Sequence, residues 1–156
     1  MPVSRTLPRT MLADPPGNHV RSEDPERQLV DSAPFRRLLY VGQFGLAHLV
    51  YPGATHTRFE HALGAYHLAS QAVALLGERG SLQEVDPADV QIVRAAALLH
   101  DIGHYPFSHA LEEIGAPHHE EVARPLITSG PVAEVLRRSL GADAPERVVA
   151  FVRGAS

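Results

Sequence analysis

Histidine is the residue type with the greatest capacity for chemistry in this chain of 156 residues. Nine of the ten histidines lie between residues 48 and 119, and five of them lie between 100 and 119. A histidine on its own is more often a solvated or structural residue than a ligand or an acid. We therefore assign no role to His19 or His48. The concentration of the others indicates a chemical site.

The dipeptide His100-Asp101 ends an otherwise apolar segment that runs from Ile92 to Leu99. Burying a carboxylate there is costly unless something neutralises it, and the negative end of the helix dipole adds to the cost. A divalent cation removes both costs, because imidazole and carboxylate are ligands for Zn, Mn and Fe. The dipeptide alone favours a simpler interpretation, in which Asp101 is a helix-terminal residue that faces solvent.

A second pair, His109 and Glu112, is spaced three residues apart in a short predicted helix. Residues at this spacing lie on one face, which suits a general acid and the carboxylate that orients it. His118 and His119 precede two glutamates, and an ordinary helix N-terminus explains that sequence equally well. By its neighbours alone, His61 is a core histidine.

His100 and His104 also have the four-residue spacing of the His-Glu-x-x-His zinc proteases. That interpretation requires both histidines on one unbroken helix, and Gly103, a predicted helix stop, stands between them. We therefore set the protease class aside.

Composition excludes several classes of protein. The chain has no Cys, and all 14 basic residues are Arg. Disulfide scaffolds, thiolate metal sites and Cys nucleophiles are therefore excluded, as are the Lys-dependent phosphate loop and Schiff-base chemistry. The net charge of −4 gives no bulk reason to bind nucleic acid. No segment approaches the roughly 20 apolar residues of a membrane span, and nothing resembles a secretory signal. We expect a soluble cytoplasmic protein.

The pattern of apolar residues, caps and prolines predicts an all-α fold, an irregular helical bundle. Residues 1–28 contain five prolines and are predicted to form a tail or a loose N-terminal wrap. Pro125 is expected to kink or split the helix that contains it. The predicted helices span residues 31–45, 57–77, 86–101, 106–114, 117–128, 131–140 and 143 to the C-terminus.

Two segments carry a family resemblance. The sequence YPGATHTRFEHALG at 51–64 and the sequence LLHDIGHYPFSH at 98–109 closely resemble the HD-domain metal-dependent phosphohydrolases. The branch they resemble is the deoxynucleoside triphosphate triphosphohydrolases, and the resemblance extends from about Leu29 to Glu121. It implies an HD-type all-α core, a nucleotide substrate, one divalent metal ion (Mn, Fe, Mg, Zn or Ni) and a second Mg on the phosphates. It also implies a homo-oligomer in the full-length protein.

The resemblance assigns roles to particular positions. The implied metal ligands are His61, His100 and Asp101. Residues implied to act near the phosphates or in proton transfer are His104, His109 and His119, with Glu112 as the acidic partner. Arg58 matches an arginine that contacts a phosphate, and Gln43 matches a glutamine that contacts the sugar hydroxyl. The implied products are a deoxynucleoside and tripolyphosphate.

One feature departs from the family pattern. The family has a further Asp ligand well downstream, whereas the only Asp after Asp101 is Asp143, in a predicted capping position. We therefore expect residues 29–156 to be the N-terminal part of an HD domain truncated at its C-terminal end. The chain is then a fragment of a longer protein or a short form with an incomplete site. The alternative functions are another HD-type phosphatase or phosphodiesterase, and a non-catalytic nucleotide-binding module.

Overall fold

The computed structural model describes residues 25–154, and the expected all-α architecture is confirmed. Among these residues there is no strand, and the one β-bridge pairs Gly42 with Thr57. Two 3-10 turns lie at Arg37–Tyr40 and Ala47–Leu49. The α-helices are α1 (Pro25–Asp31), α2 (Ala33–Arg36), α3 (Arg58–Glu78), α4 (Pro87–Leu99), α5 (Ser108–Glu112), α6 (His119–Thr128), α7 (Gly130–Leu140) and α8 (Ala144–Val152).

Helix α4 forms the centre of the bundle. It contacts α3, α7 and α8, and its residues Ile92, Leu98 and Leu99 are fully buried. Each such side chain stabilises the fold by about 1.5–3 kcal/mol relative to exposure. Because α4 is held on several sides, the residues at its C-terminal end, which include the His100-Asp101 pair, have a fixed position. No helix among the described residues has the length and apolar character needed to cross a membrane.

A capping box fixes the start of α3. The Glu60 amide donates to Thr57 Oγ1 at 3.3 Å, and the Thr57 amide donates to Glu60 Oε2 at 2.7 Å. The Arg58 amide also donates to the Val41 carbonyl at 2.8 Å. This cap satisfies amide groups that the first helical turn leaves free, so that Arg58 and His61 are presented from a defined first turn.

The region predicted as one helix over 31–45 is different in the structure. Helix α1 already begins at Pro25, within the segment predicted as a tail, while residues 1–24 lie outside the described part of the chain. Helix α2 ends at Arg36, and the chain continues through a 3-10 turn to Tyr40. Gly45, the predicted end of this helix, has a left-handed φ of +54°. Phe44, predicted as part of the apolar stripe, lies outside any helix and is 56% exposed.

One helix-terminal prediction needs correction, because helix α4 ends at Leu99 and Gly103 is not its stop residue. Of the two effects expected of Pro125, splitting does not occur, because helix α6 runs through this residue to Thr128. Proline removes only one helical amide donor, and the buried residues Ala123 and Ile127 anchor the helix on either side of it.

Candidate active site

The three residues expected to bind a metal lie together where α3 begins and α4 ends. One potential ligand atom from each of His61, His100 and Asp101 lies within 4.8 Å of the others. The two Nε2 atoms are 3.2 Å apart. Asp101 Oδ1 is 3.3 Å from His100 Nε2, and Asp101 Oδ2 is 3.8 Å from His61 Nε2. Residues separated by 39 positions in sequence thus form one compact donor set, which we call the metal group.

The hydrogen bond made by His100 selects the ring tautomer that a metal ligand needs. Its Nδ1 lies 2.9 Å from the Ala97 carbonyl oxygen. Because that oxygen only accepts, Nδ1 carries the proton and Nε2 keeps its lone pair for the metal group. The His61 side chain is 43% exposed, so the interpretation of it as a core histidine is wrong. The neighbouring residues Phe59 and Ala62 occupy the core side of α3 at this point.

Asp101 does not face solvent as a helix-terminal residue. Its side chain is only 8% exposed, and its Oδ2 accepts from Arg58 Nη1 at 2.9 Å. Burial alone would raise the pKa of this carboxyl. The hydrogen bond from His104 and the charge of the Arg58 guanidinium outweigh that effect and hold the pKa of Asp101 well below its usual range. Asp101 is therefore an anion under all ordinary conditions.

This donor set fits a divalent first-row metal ion. Two imidazole nitrogens and a carboxylate oxygen suit Mn, Fe, Zn and Ni, and the buried negative charge of Asp101 favours a cation beside it. Asp143, the downstream aspartate, is the N-terminal cap residue of α8 and does not belong to the metal group.

A second cluster is centred on the Glu112 carboxylate, whose side chain is 8% exposed. Its Oε1 accepts from both the amide and Nδ1 of His119 at 3.0 Å. Its Oε2 lies 3.5 Å from Nδ1 of both His109 and His118. Desolvation alone would raise the pKa of Glu112, but the His119 hydrogen bonds and nearby imidazoles lower it from 4.5 to about 2. The predicted approach of His109 to Glu112 is thus present in the structure.

His104 joins the second cluster to the metal group. It is 2% exposed, and its ring stacks on that of His119 with 3.8 Å between centroids. Nδ1 lies 2.6 Å from Ser108 Oγ, and Nε2 lies 3.3 Å from Asp101 Oδ1. Burial is the largest cause of the lowered pKa of His104. A neutral ring that donates from Nε2 and accepts at Nδ1 satisfies both partners.

An open pocket of about 370 Å³ is lined in part by His109 of the second cluster and by Arg58, which donates to Asp101 of the metal group. Its lining includes Gln43, Phe44, Arg58, Phe107 and His109. Among residues 25–154, Gln43 Oε1 is a buried atom with no hydrogen-bond partner. Phe107 has a left-handed backbone, with φ +59°, a conformation that is strained for a bulky side chain.

Two residues that hold the segment after His100 were not predicted from the sequence. Arg37 donates from its two terminal nitrogens to the carbonyls of Ile102 and His104, both at 2.6 Å. A Cβ on Gly103 would lie 1.9 Å from the His119 carbonyl oxygen. Glycine is therefore needed for α6 to approach closely, and this brings His119 onto His104. Neither role has a local sequence signal, because each partner is distant in the chain.

The fold and the metal group together define a helical domain with a histidine–aspartate donor set at the junction of α3 and α4. The family model described as "HD domain" matches residues 58–153. The chain belongs to the HD domain family.

Several similar proteins are named as phosphohydrolases. The chain is 39% identical over 102 residues to the deoxynucleoside triphosphate triphosphohydrolase SAMHD1 of Homo sapiens, covering 65% of this chain and 16% of that protein. It is 36% identical over 135 residues to SAMHD1 of Gallus gallus, covering 79% and 22%. An uncharacterized protein of Methanocaldococcus jannaschii is 47% identical over 96 residues, covering 62% and 19%. The chain thus spans about a fifth of the length of these relatives.

Solved structures show the same likeness. A phosphohydrolase from Bacteroides thetaiotaomicron superposes with a TM-score of 0.66 at 35% identity, covering 81% of this chain and 30% of that one. A hypothetical protein from Aquifex aeolicus gives a TM-score of 0.68 at 37% identity, covering 84% and 34%.

Proposed function

We propose that this domain is a metal-dependent phosphohydrolase that converts deoxynucleoside triphosphates to deoxynucleosides and tripolyphosphate. The observation that carries the proposal is the contact between two groups with different chemistry. A cation-binding set of His61, His100 and Asp101 adjoins a histidine–glutamate cluster built on Glu112. The likeness to SAMHD1 supports the choice of substrate.

We assign substrate binding to the pocket beside these groups. Arg58 connects the two regions, because it donates to Asp101 and also lines the pocket. Its guanidinium offsets phosphate charge, a task that Arg performs through several donors. Gln43 also lines the pocket, and a small rotation of its side-chain amide would bring it to a sugar hydroxyl.

A bound divalent ion supplies Lewis acidity at the phosphate and lowers the pKa of water. Water attacks the α-phosphorus, and the bond from phosphorus to the nucleoside oxygen breaks. His109, which is 65% exposed, gives its proton to the departing oxygen. Glu112 stays ionised at neutral pH and stabilises the charged imidazole of His109. Asp101 remains an anion and would hold the metal ion together with His61 and His100.

The test is product identification with the metal-loaded chain. Deoxynucleoside triphosphates, their ribonucleotide counterparts, nucleoside monophosphates and cyclic dinucleotides are each incubated with the protein, and phosphorus NMR identifies the products. We expect tripolyphosphate from deoxynucleoside triphosphates. Release of orthophosphate or a monophosphate instead would assign another HD-type activity. Binding of nucleotide without any turnover would assign a non-catalytic module.

A further inference from the structure

Arg37 lies outside the candidate site but contacts the chain segment that follows the histidine–aspartate pair. It begins the first 3-10 turn, and its guanidinium donates to the carbonyl oxygens of Ile102 and His104, both at 2.6 Å. In the part of the chain that the structure describes, no backbone amide donates to either oxygen. One side chain therefore satisfies two carbonyl groups that the backbone leaves without a partner.

These carbonyls belong to a segment that is itself tied to the metal group. The His104 amide donates to the Asp101 carbonyl at 3.0 Å, and the Ile102 amide donates to the Leu99 carbonyl at the same distance. Ile102 and His104 are both buried. A buried carbonyl group without a partner is costly. Loss of the Arg37 donors would therefore force this segment, and with it the Asp101 backbone, to rearrange.

The stretch of chain that carries Arg37 also holds the start of α3. Val41 follows four residues later, and its carbonyl accepts from the Arg58 amide at 2.8 Å. Phe35, two residues before Arg37, is fully buried and packs edge to face on Phe59 of α3, with 5.2 Å between ring centroids. This stretch therefore contacts both parts of the chain that supply the metal group.

We propose that Arg37 is a positioning residue that sets the place of the ligands at the end of α4 relative to the ligand on α3. The inference rests on the proposed role of His61, His100 and Asp101 in binding the metal ion. Arg37 acts on these ligands through the backbone of residues 102–104. Its loss should therefore lower the metal affinity and the local order of this segment together.

The contact geometry favours arginine over any other cation. The two carbonyls are held by different terminal nitrogens, Nη1 by His104 and Nη2 by Ile102. A planar guanidinium donates in two fixed directions at once, whereas a lysine ammonium is a point charge on a flexible stem. Arg37→Lys should therefore keep part of the effect. Arg37→Met, which retains an apolar stem but no donor, should lose all of it.

The first test measures metal binding without any nucleotide. Mn is titrated calorimetrically into the metal-free full chain. We expect Arg37→Met to weaken Mn binding about 10-fold, the lower end of the effect of an outer hydrogen-bond partner, and Arg37→Lys to weaken it less. Arg36→Met is the matched control. Arg36 is the preceding residue and is exposed, so this variant should bind Mn like the wild type.

The second test separates positioning from a general loss of stability. NMR follows hydrogen exchange of the Ile102 and His104 amides in the metal-free protein. Arg37→Met should speed exchange at these two amides about 10-fold and leave the amides in the middle of α4 protected. Val132→Ala, which truncates a buried side chain of α7, is the control for destabilisation. It should speed exchange within α4 and bind Mn like the wild type.

Either of two results would overturn the proposal. One is an Arg37→Met protein that binds Mn as tightly as the wild type. The other is faster exchange spread evenly over α4 in Arg37→Met, as in Val132→Ala, in place of a selective effect at Ile102 and His104. A wild type that bound no Mn would count against the proposed metal group. The exchange experiment uses no metal and would still decide whether Arg37 holds the segment.

Discussion

The His104 imidazole contacts the Asp101 carboxylate, with 3.3 Å between Nε2 and Oδ1. Because His104 also stacks on His119, this contact couples the metal group to the Glu112 cluster. A displacement of Asp101 therefore moves the proposed proton-transfer residues as well. Substitutions in each group should nevertheless have different effects, one on metal binding and the other on proton transfer.

Removing a donor from the metal group should release the metal. We expect His61→Ala and Asp101→Ala each to lower the affinity for Mn at least about 100-fold, more than the loss of an outer hydrogen-bond partner costs. Isothermal titration and metal analysis after dialysis measure this effect. His67→Ala, an exposed histidine on the same helix, should bind metal like the wild type. A metal-replete, fully active His61→Ala protein would contradict the assignment.

Replacing His109 should leave the metal in place and slow the reaction. We expect His109→Ala to lower kcat by about 10²–10⁴, the usual contribution of a general acid. His118 is the matched control, since its Nδ1 is also 3.5 Å from Glu112 Oε2. His118→Ala should keep most of its kcat. If both variants lost kcat equally, His109 would not be the specific proton donor.

Acid should lower the free energy of unfolding, partly because Glu112 becomes protonated. Its pKa is lowered from 4.5 to about 2 in the folded chain, so the unfolded chain binds more protons between these values. The stabilisation is then complete above about pH 4.5 and is lost as the pH falls towards 2. Urea unfolding across this range should show a shallower decline of the free energy of unfolding for Glu112→Gln than for the wild type. Equal slopes would show that Glu112 does not titrate in this way.

Gly103 should tolerate no side chain. A Cβ there would meet the His119 carbonyl oxygen at 1.9 Å and the Ala123 amide at 2.6 Å, so α6 would have to move. We expect Gly103→Ala to destabilise the fold by about 3 kcal/mol. Gly77→Ala, which meets nothing within 4 Å, should stabilise it by up to about 1 kcal/mol. Thermal unfolding of both variants measures the difference, and a stable Gly103→Ala protein would contradict the close approach.

Local signals predicted much of this fold. Caps such as Thr57 with Glu60, and Asp86 before Pro87, lie in the residues next to the helix starts that they fix. The end of α2 was not predictable in the same way. It coincides with the burial of Phe35 and Leu38, and Phe35 packs on Phe59 of α3, which is a tertiary contact.

The candidate site likewise combines contacts that the sequence predicts with contacts that it does not. The spacing of His109 and Glu112 predicted their contact, because both lie on one short helix. The resemblance to the HD-domain family predicted the three members of the metal group, although they are far apart in the sequence. The Arg37 contacts with the Ile102 and His104 carbonyls span more than sixty residues of sequence. The burial of His104 also requires α6 to be in place, and no local pattern encodes either feature.

Hydrolysis of a deoxynucleoside triphosphate by the metal-loaded domain in ¹⁸O-labelled water shows which phosphorus atom is attacked. Mass spectrometry then locates the label in the products. We expect one ¹⁸O in tripolyphosphate, none in the deoxynucleoside, and no reaction after metal removal. Label in orthophosphate or in the deoxynucleoside hydroxyl, or unchanged turnover without metal, would contradict metal-dependent hydrolysis at the α-phosphorus.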